Sequence, residues 1–325
     1  MSIRPTIAVF TGDPAGIGPE LTAKLLADPA TQAKADVLLI SHRAGLDDAA
    51  NGFGAAPAPR LHDWAGLAAP ACARAAVSET NGRFMLDALA EGARLVVTGK
   101  ADAFCFAPLN KGALRAGGMV EEDEMRWFAE LLRHDGPCGE LNVLEDLWTS
   151  RVTSHIPLRE VSAHLSAEKV AEAIGMITRA LRAAGKAAPR VAVCGLNPHN
   201  GDNGNYGDEE GRIIEPGVRL AASRGFPADG PFSADTAFVR AIRKDGSGYD
   251  GVVTMYHDQG QIAMKLMGFE RGVTVQGGLP IPITTPAHGT AYDIAGRGIA
   301  NPQAMKNAFD IACRMGMSRR AAAPR

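Results

Sequence analysis

The chain has 325 residues, 46% hydrophobic and 22% charged, with a formal net charge of -2. That length exceeds one ordinary core and suits two domains around a cleft in a globular protein. The near-neutral balance gives no global field for nucleic acid or an anionic membrane, and no apolar run approaches the roughly 18 residues of a membrane span.

In chain order, Met1-Ser2-Ile3-Arg4-Pro5 runs straight into a short apolar segment that soon meets Asp13 and Pro14, unlike a signal peptide. Residues 7–10, 37–40, 95–97, 151–153, 191–194 and 252–255 read as buried strands. Between them lie helical patterns such as 167–184, where Val170, Ile174, Ile177 and Leu181 recur at helical spacing and Gly185 ends the run. Continuous apolar strands separated by helices predict an α/β architecture with sheets covered on both faces. Stretches 46–60 and 65–77 are rich in Ala, Gly and Pro but too short for an obvious interdomain linker, and 320–325 reads as a frayed tail. The five cysteines (Cys72, Cys105, Cys138, Cys194, Cys313) form no C-x-x-C pair. An odd, unpatterned set suggests buried thiols in a reducing compartment, the cytoplasm, and not a disulfide framework or thiolate zinc site.

Three of the eight histidines share a context: His155, His199 and His257 each follow a strand-like run. In an α/β sheet, ligands gather outside the carboxyl ends of strands, so three neutral imidazoles there could hold a divalent ion that polarises a substrate oxygen. Any one of them alone is more readily an unrelated strand-end histidine. Their company favours the metal: Asp258 follows His257 as an orienting carboxylate, and His199 sits in the polar loop Asn197-Pro198-His199-Asn200-Gly201. His42, His62, His134 and His164 have no such neighbours and read as surface residues.

Two glycine-rich segments stand out. Gly12-Asp13-Pro14-Ala15-Gly16-Ile17-Gly18-Pro19-Glu20 follows a strand and permits a tight strand-to-helix turn, but it is neither a G-x-G-x-x-G fingerprint nor a P-loop. His288-Gly289-Thr290-Ala291-Tyr292-Asp293-Ile294-Ala295-Gly296-Arg297-Gly298 is either a structural turn or a loop on which an adenine could lie, with Asp293 accepting from ribose hydroxyls.

With Ala107-Pro108-Leu109-Asn110-Lys111, Thr153-Ser154-His155-Ile156-Pro157-Leu158, Gly195-Leu196-Asn197-Pro198-His199, Ala234-Asp235-Thr236 and Met255-Tyr256-His257-Asp258-Gln259-Gly260, these segments resemble the 4-hydroxythreonine-4-phosphate dehydrogenase family over nearly the whole chain. Residues 288–302 also resemble the cofactor loop of isopropylmalate and isocitrate dehydrogenases. The resemblance implies a two-domain α/β subunit of isopropylmalate/isocitrate dehydrogenase type, with helices on both faces of mixed, largely parallel sheets. The expected domains are 1–130 with 300–325, and 131–299 carrying the metal histidines. It further implies a homodimer, NAD, and a divalent metal (Zn, Mg, Mn or Co) on His155, His199 and His257. Asp235, Lys265 and Lys111 carry over as catalytic residues; Gly12, His288, Gly289, Asp293 and Gly296 carry over to the cofactor. The implied reaction oxidises the secondary alcohol of a small hydroxy acid to a β-keto acid, which then decarboxylates.

Substrate positions depart from the family pattern. Glu124 and Met125 stand where a His-Thr pair is expected, within the acidic run Glu122-Asp123-Glu124, and Thr274 and Ile283 replace an Asn and an Arg that help hold the phosphorylated substrate. An Arg fork grips phosphate bidentately and Ile cannot, whereas Lys265 could still hold a phosphate or a carboxylate. The acidic run would repel phosphate if it faces the pocket, or it is a solvated helix start. The alternative substrate is therefore an unphosphorylated cis-dihydrodiol or hydroxy acid, and Ile283→Arg is expected to improve turnover of the phosphorylated compound. From other classes, a cofactor-free metal-dependent hydrolase or lyase and a binding protein without turnover stay open.

Overall fold

The computed structural model describes residues 4–41, 60–62 and 74–322. Cys72, His42 and most of the two Ala-, Gly- and Pro-rich stretches lie outside the described residues, as does the end of the tail, 323–325. The chain divides into two compact units, one of residues 1–135 with 270–325 and one of residues 136–269.

The first unit contains strands β1 (Thr6–Phe10), β2 (Asp36–Ile40), β3 (Arg60–Leu61), β4 (Ala103–Phe106), β10 (Val273–Gly277) and β11 (Ile283–Pro286). Their order is β3-β2-β1-β4-β11-β10, parallel except for antiparallel β10. Alternation along the strands supplies two apolar faces. Phe10, Phe104, Phe106 and Ile283 face a core shared with helices α3 (Glu79–Val97), α4 (Lys111–Ala116) and α5 (Glu124–Leu131). On the opposite face Thr284 donates to the Ala308 carbonyl of helix α11 (Gln303–Ala322) at 2.9 Å. Helices α1 (Gly18–Ala27) and α2 (Pro29–Lys34) follow the first strand.

The second unit has strands β5 (Gly139–Leu144), β6 (Leu147–Arg151), β7 (Val191–Cys194), β8 (Asp229–Phe232) and β9 (Gly251–Thr254), in the order β5-β6-β9-β7-β8. All neighbours are parallel except the β5–β6 hairpin. Helix α6 (Val161–His164) is a single turn. Helix α7 (Ala167–Ala183) covers one face, with Ile177 and Leu181 lying against Gly251. Helix α8 (Glu215–Ser223) packs on α7. On the other face, Ala192, Cys194 and Val252 share a core with α9 (Ala234–Ala241) and α10 (His257–Gly268). The α/β class with mixed, largely parallel sheets and helices on both faces is thus observed.

Three expectations change. Residues 95–97 are not a strand but the end of α3: Ser78 caps it by accepting from the Asn81 N–H at 3.1 Å, and Met85, Ala88, Leu89, Gly92, Leu95 and Val96 bury one helical stripe. A short run of branched residues is ambiguous between strand and helix, and here the long amphipathic pattern behind it decides. The strand expected at 151–153 lies earlier, at Leu147–Arg151. Residues 270–299 group with the first unit instead of the second, because β11 pairs with β4 and α11 packs against β10 and β11.

The thiols of Cys105 and Cys194 are fully enclosed, and burial pushes each up to about 12, the inert packed state expected of them. Among the described residues no helix is long and apolar enough to cross a membrane.

Candidate functional site

Parallel neighbouring strands end at the same sheet edge, and both units use this. In the second unit His155 follows β6, His257 follows β9, His199 follows β7 and Asp235 follows β8, so four carried-over residues lie beyond one edge. His155 and His257 meet, with ring centroids 5.8 Å apart. Two imidazoles on one ion at metal–nitrogen bonds of about 2.0–2.1 Å place their ring centres roughly 5–6 Å apart, so this pair fits a divalent ion. His257 Nδ1 lies 2.7 Å from Asp258 Oδ1, leaving Nε2 as the ligating nitrogen. His199 does not join them: its ring lies beside Tyr206, with centroids 6.2 Å apart. Among the described residues of one chain, no three His, Cys, Asp or Glu side chains form a metal-holding group.

Two of these histidines sit on strained backbone. His155 has φ 43°, and His199 opens a run of six residues with left-handed φ through Gly204. A left-handed conformation costs roughly 1–2 kcal/mol for an ordinary residue, less for Asn, Asp and Gly, which fill the rest of the run. Buried Glu210 holds it, its carboxylate accepting from the Leu196 N–H (2.8 Å), the Asn197 N–H (2.7 Å) and Asn197 Nδ2 (3.0 Å). Beside it, hydrogen bonds from Ser162 and Asn197 hold the Glu209 carboxyl below its usual range. Gln259 links neighbouring strand ends, accepting from the Met255 N–H at 2.7 Å and donating to the Gly195 carbonyl at 2.9 Å. Arg151 donates to Ser154 Oγ (2.9 Å), Asn142 Oδ1 (2.8 Å) and Glu140 Oε2 (2.6 Å), fixing the turn that carries His155. Lys265 lies two turns along α10 from His257, its ammonium 5.5 Å from the centre of the Phe269 ring.

In the first unit β1, β4 and β11 deliver the Gly12 turn, the Lys111 segment and the 288–298 loop to one edge. Gly12 has φ 71°, and a Cβ there would come within 2.5 Å of the Ala107 and Pro108 carbonyl oxygens, so the position excludes side chains by packing. Gly289 has open space around it, Asp293 is exposed, and Gly296 takes φ 75°. A bare glycine beside an exposed carboxylate suits a ribose and a flat base, and these residues fit a dinucleotide. His288 Nδ1 lies 3.0 Å from the Gly289 carbonyl. Asp13 and Tyr292 join the two glycine-rich segments through a 2.6 Å hydrogen bond. Burial pushes the Asp13 carboxyl up, against the pull of Tyr292 and the Ala15 N–H, and burial with Asp13 pushes the Tyr292 hydroxyl up as well.

Lys111 Nζ lies 4.0 Å from Glu124 Oε2. Asp123 caps α5 by accepting from the Arg126 N–H at 2.9 Å, so part of the acidic run is a helix start. Met125 is buried. Thr274, facing Thr285 across β10 and β11, lies near the loop edge. Ile283, at the opposite end of β11, has no exposed surface and belongs to the apolar cluster with Phe104 and Phe128. The expectation of a phosphate contact from an Arg at 283 therefore needs correcting: that guanidinium would enter an apolar core and destabilise it.

Sequence reasoning passed over Asp13, Glu20, Lys24, Arg151, Glu210 and Gln259. Of these only Glu20 and Lys24 left a readable signal, an acid four residues before a base at a helix start.

The family model described as "Pyridoxal phosphate biosynthetic protein PdxA" matches residues 26–312. A Pseudomonas aeruginosa protein named "Putative 4-hydroxythreonine-4-phosphate dehydrogenase 2" is 53% identical, covering 96% of this chain and 97% of its own. The crystal structure of the Klebsiella pneumoniae 4-hydroxythreonine-4-phosphate dehydrogenase aligns with TM-score 0.82 and 34% identity over 97% of this chain and 98% of that one. A terephthalate 1,2-cis-dihydrodiol dehydrogenase from Burkholderia xenovorans aligns with TM-score 0.67 and 25% identity, covering 94% and 98%. With a matching model across most of its length and relatives similar from end to end, the chain belongs to the PdxA family.

Proposed function

We propose that this chain is an NAD- and divalent-metal-dependent dehydrogenase that oxidises the secondary alcohol of a small hydroxy acid, with decarboxylation of the resulting β-keto acid, as a cytoplasmic homodimer. The observation that carries this is the His155–His257 pair at the sheet edge, with Asp258 occupying His257 Nδ1 and so leaving Nε2 for a metal. A bound divalent ion supplies polarisation of the alcohol oxygen and NAD supplies the hydride acceptor. His155 Nε2 or Nδ1, His257 Nε2 and His199 are the ligands, and Asp258 Oδ1 keeps the His257 Nδ1 proton in place. Exposed Asp235 is the carboxylate available to take the alcohol proton. Asp293 accepts from the ribose hydroxyls and would repel a 2′-phosphate, which favours NAD over NADP. Lys265, on the helix that His257 opens, is available to bind the anionic end of the substrate.

The homodimer accounts for the third ligand. Ile262 and Leu266 are exposed one helical turn apart on α10, the helix His257 opens, and Phe269 is exposed just beyond it. An unpartnered apolar stripe of this kind suits a second copy of the chain. We infer that His199 completes the metal site across that interface.

An unphosphorylated substrate is the second reading. Glu124 stands beside Lys111 and offsets the charge a phosphate would use. A panel of phosphorylated and unphosphorylated hydroxy acids and cis-dihydrodiols, followed by NADH formation, decides between them. The departures predict the higher kcat/KM on an unphosphorylated compound, and efficient turnover of 4-hydroxythreonine-4-phosphate alone would reject that preference. Hydrolysis or elimination without NAD would instead favour the cofactor-free class.

A further inference from the structure

The first glycine-rich segment and helix α1 hold the 288–300 segment through side chains in an arrangement usually made by a neighbouring strand. Glu20 is buried and accepts from the Gly298 N–H at 3.2 Å and the Ala300 N–H at 2.7 Å. Lys24, one turn on, donates to the carbonyls of the same two residues, at 3.0 and 2.7 Å, and to Glu20 Oε1 at 2.8 Å. The N–H and C=O of both Gly298 and Ala300 are thus taken by one ion pair. At the other end of the loop, the Ile17 N–H donates to the Thr290 carbonyl at 3.0 Å, and Tyr292 donates to enclosed Asp13 at 2.6 Å. Gly16 makes the approach possible, since a Cβ there would fall 2.8 Å from Thr290 Cβ.

We propose that Asp13, Glu20 and Lys24 are positioning residues that set dinucleotide affinity by bracing residues 290–300 against the Gly12 turn and α1. The inference rests on the reading of 288–298 as the cofactor loop. A buried ion pair is a poor device for stability alone, because desolvation offsets much of its attraction and an apolar pair does as well. What this pair does that an apolar pair cannot is fix four backbone groups of one loop. The loop needs that help: Ala291, Gly296 and Gly298 are all left-handed, and the 3-10 turn Tyr292–Ile294 is its only described regular structure. A loop ordered before the ligand arrives does not charge its ordering entropy to binding. The Gly12 segment, which lacks a dinucleotide fingerprint, thereby serves the cofactor from behind.

Calorimetry of NAD binding to the full chain tests this, with Tyr292→Phe and the double variant Glu20→Gln/Lys24→Met. The double variant neutralises the pair without leaving a lone buried charge. Tyr292→Phe should weaken NAD roughly tenfold and the double variant by more, since each removes hydrogen bonds to charged groups. Divalent-metal binding, which uses the other unit's histidines, should keep its wild-type affinity, and Lys24→Arg, which keeps the charge and the donors, should bind NAD more tightly than the double variant. Should the double variant fail to fold, Tyr292→Phe alone decides. Wild-type NAD affinity in folded variants would overturn the inference while leaving the cofactor reading intact. Failure of the unmodified protein to bind NAD would overturn both.

Discussion

Replacing His155, His199 or His257 by Ala is expected to remove tight divalent-metal binding and nearly all turnover. Three imidazoles are the whole protein share of such a site, and removing even a group that only orients a ligand commonly costs about 10–100-fold in metal affinity or activity. Loss of a ligand should exceed that range. Asp258→Asn should fall within it, because the His257 ring keeps a hydrogen-bond partner but loses a charge. His164→Ala is the control: this exposed side chain meets only the Glu160 carbonyl in its own turn, at 2.9 Å, and should leave metal content and activity unchanged. Metal analysis of the purified variants reads the result directly. Full occupancy in all three would reject the assignment.

Leu266→Glu is expected to convert the proposed homodimer to a monomer and to remove activity with it. Leu266 is 84% exposed on α10, next to exposed Ile262 on the same stripe. In the proposed interface a carboxylate placed there would have to be buried in an apolar stripe. The effect should be all-or-none at micromolar concentration, whereas the folded monomer should retain its thermal transition because the side chain is 84% exposed within its own chain. Light scattering with size-exclusion separates the outcomes. A monomeric but fully active Leu266→Glu would reject a metal site shared across the proposed interface.

The periodic parts of the fold were legible in the sequence. β1, β2, β7 and β9 are continuous apolar runs, and α7 carries a clean stripe closed by Gly185, so local pattern and tertiary burial agree. Residues 95–97 misled because three branched or aliphatic residues suit either structure, and only the nineteen-residue helix around them resolves it. The candidate ligands could be picked out by type and position after strands. Their bracing could not: Glu210 reaches back fourteen residues to the Leu196 N–H, and Glu20 reaches 280 residues to Ala300. Such partners carry no local periodic signal. Ile283 shows the complementary failure, since alignment with a family pattern places it at a binding position and only the packing shows that it lies in the core.

The most direct test is NADH formation by protein first stripped of metal and then assayed on the hydroxy-acid panel with and without added divalent ions. No NADH is expected from the stripped protein, with recovery on adding a divalent metal and preference for NAD over NADP. NADH formation that is indifferent to metal, or an active panel compound that is consumed without any reduction of NAD, would contradict metal-dependent oxidation by NAD.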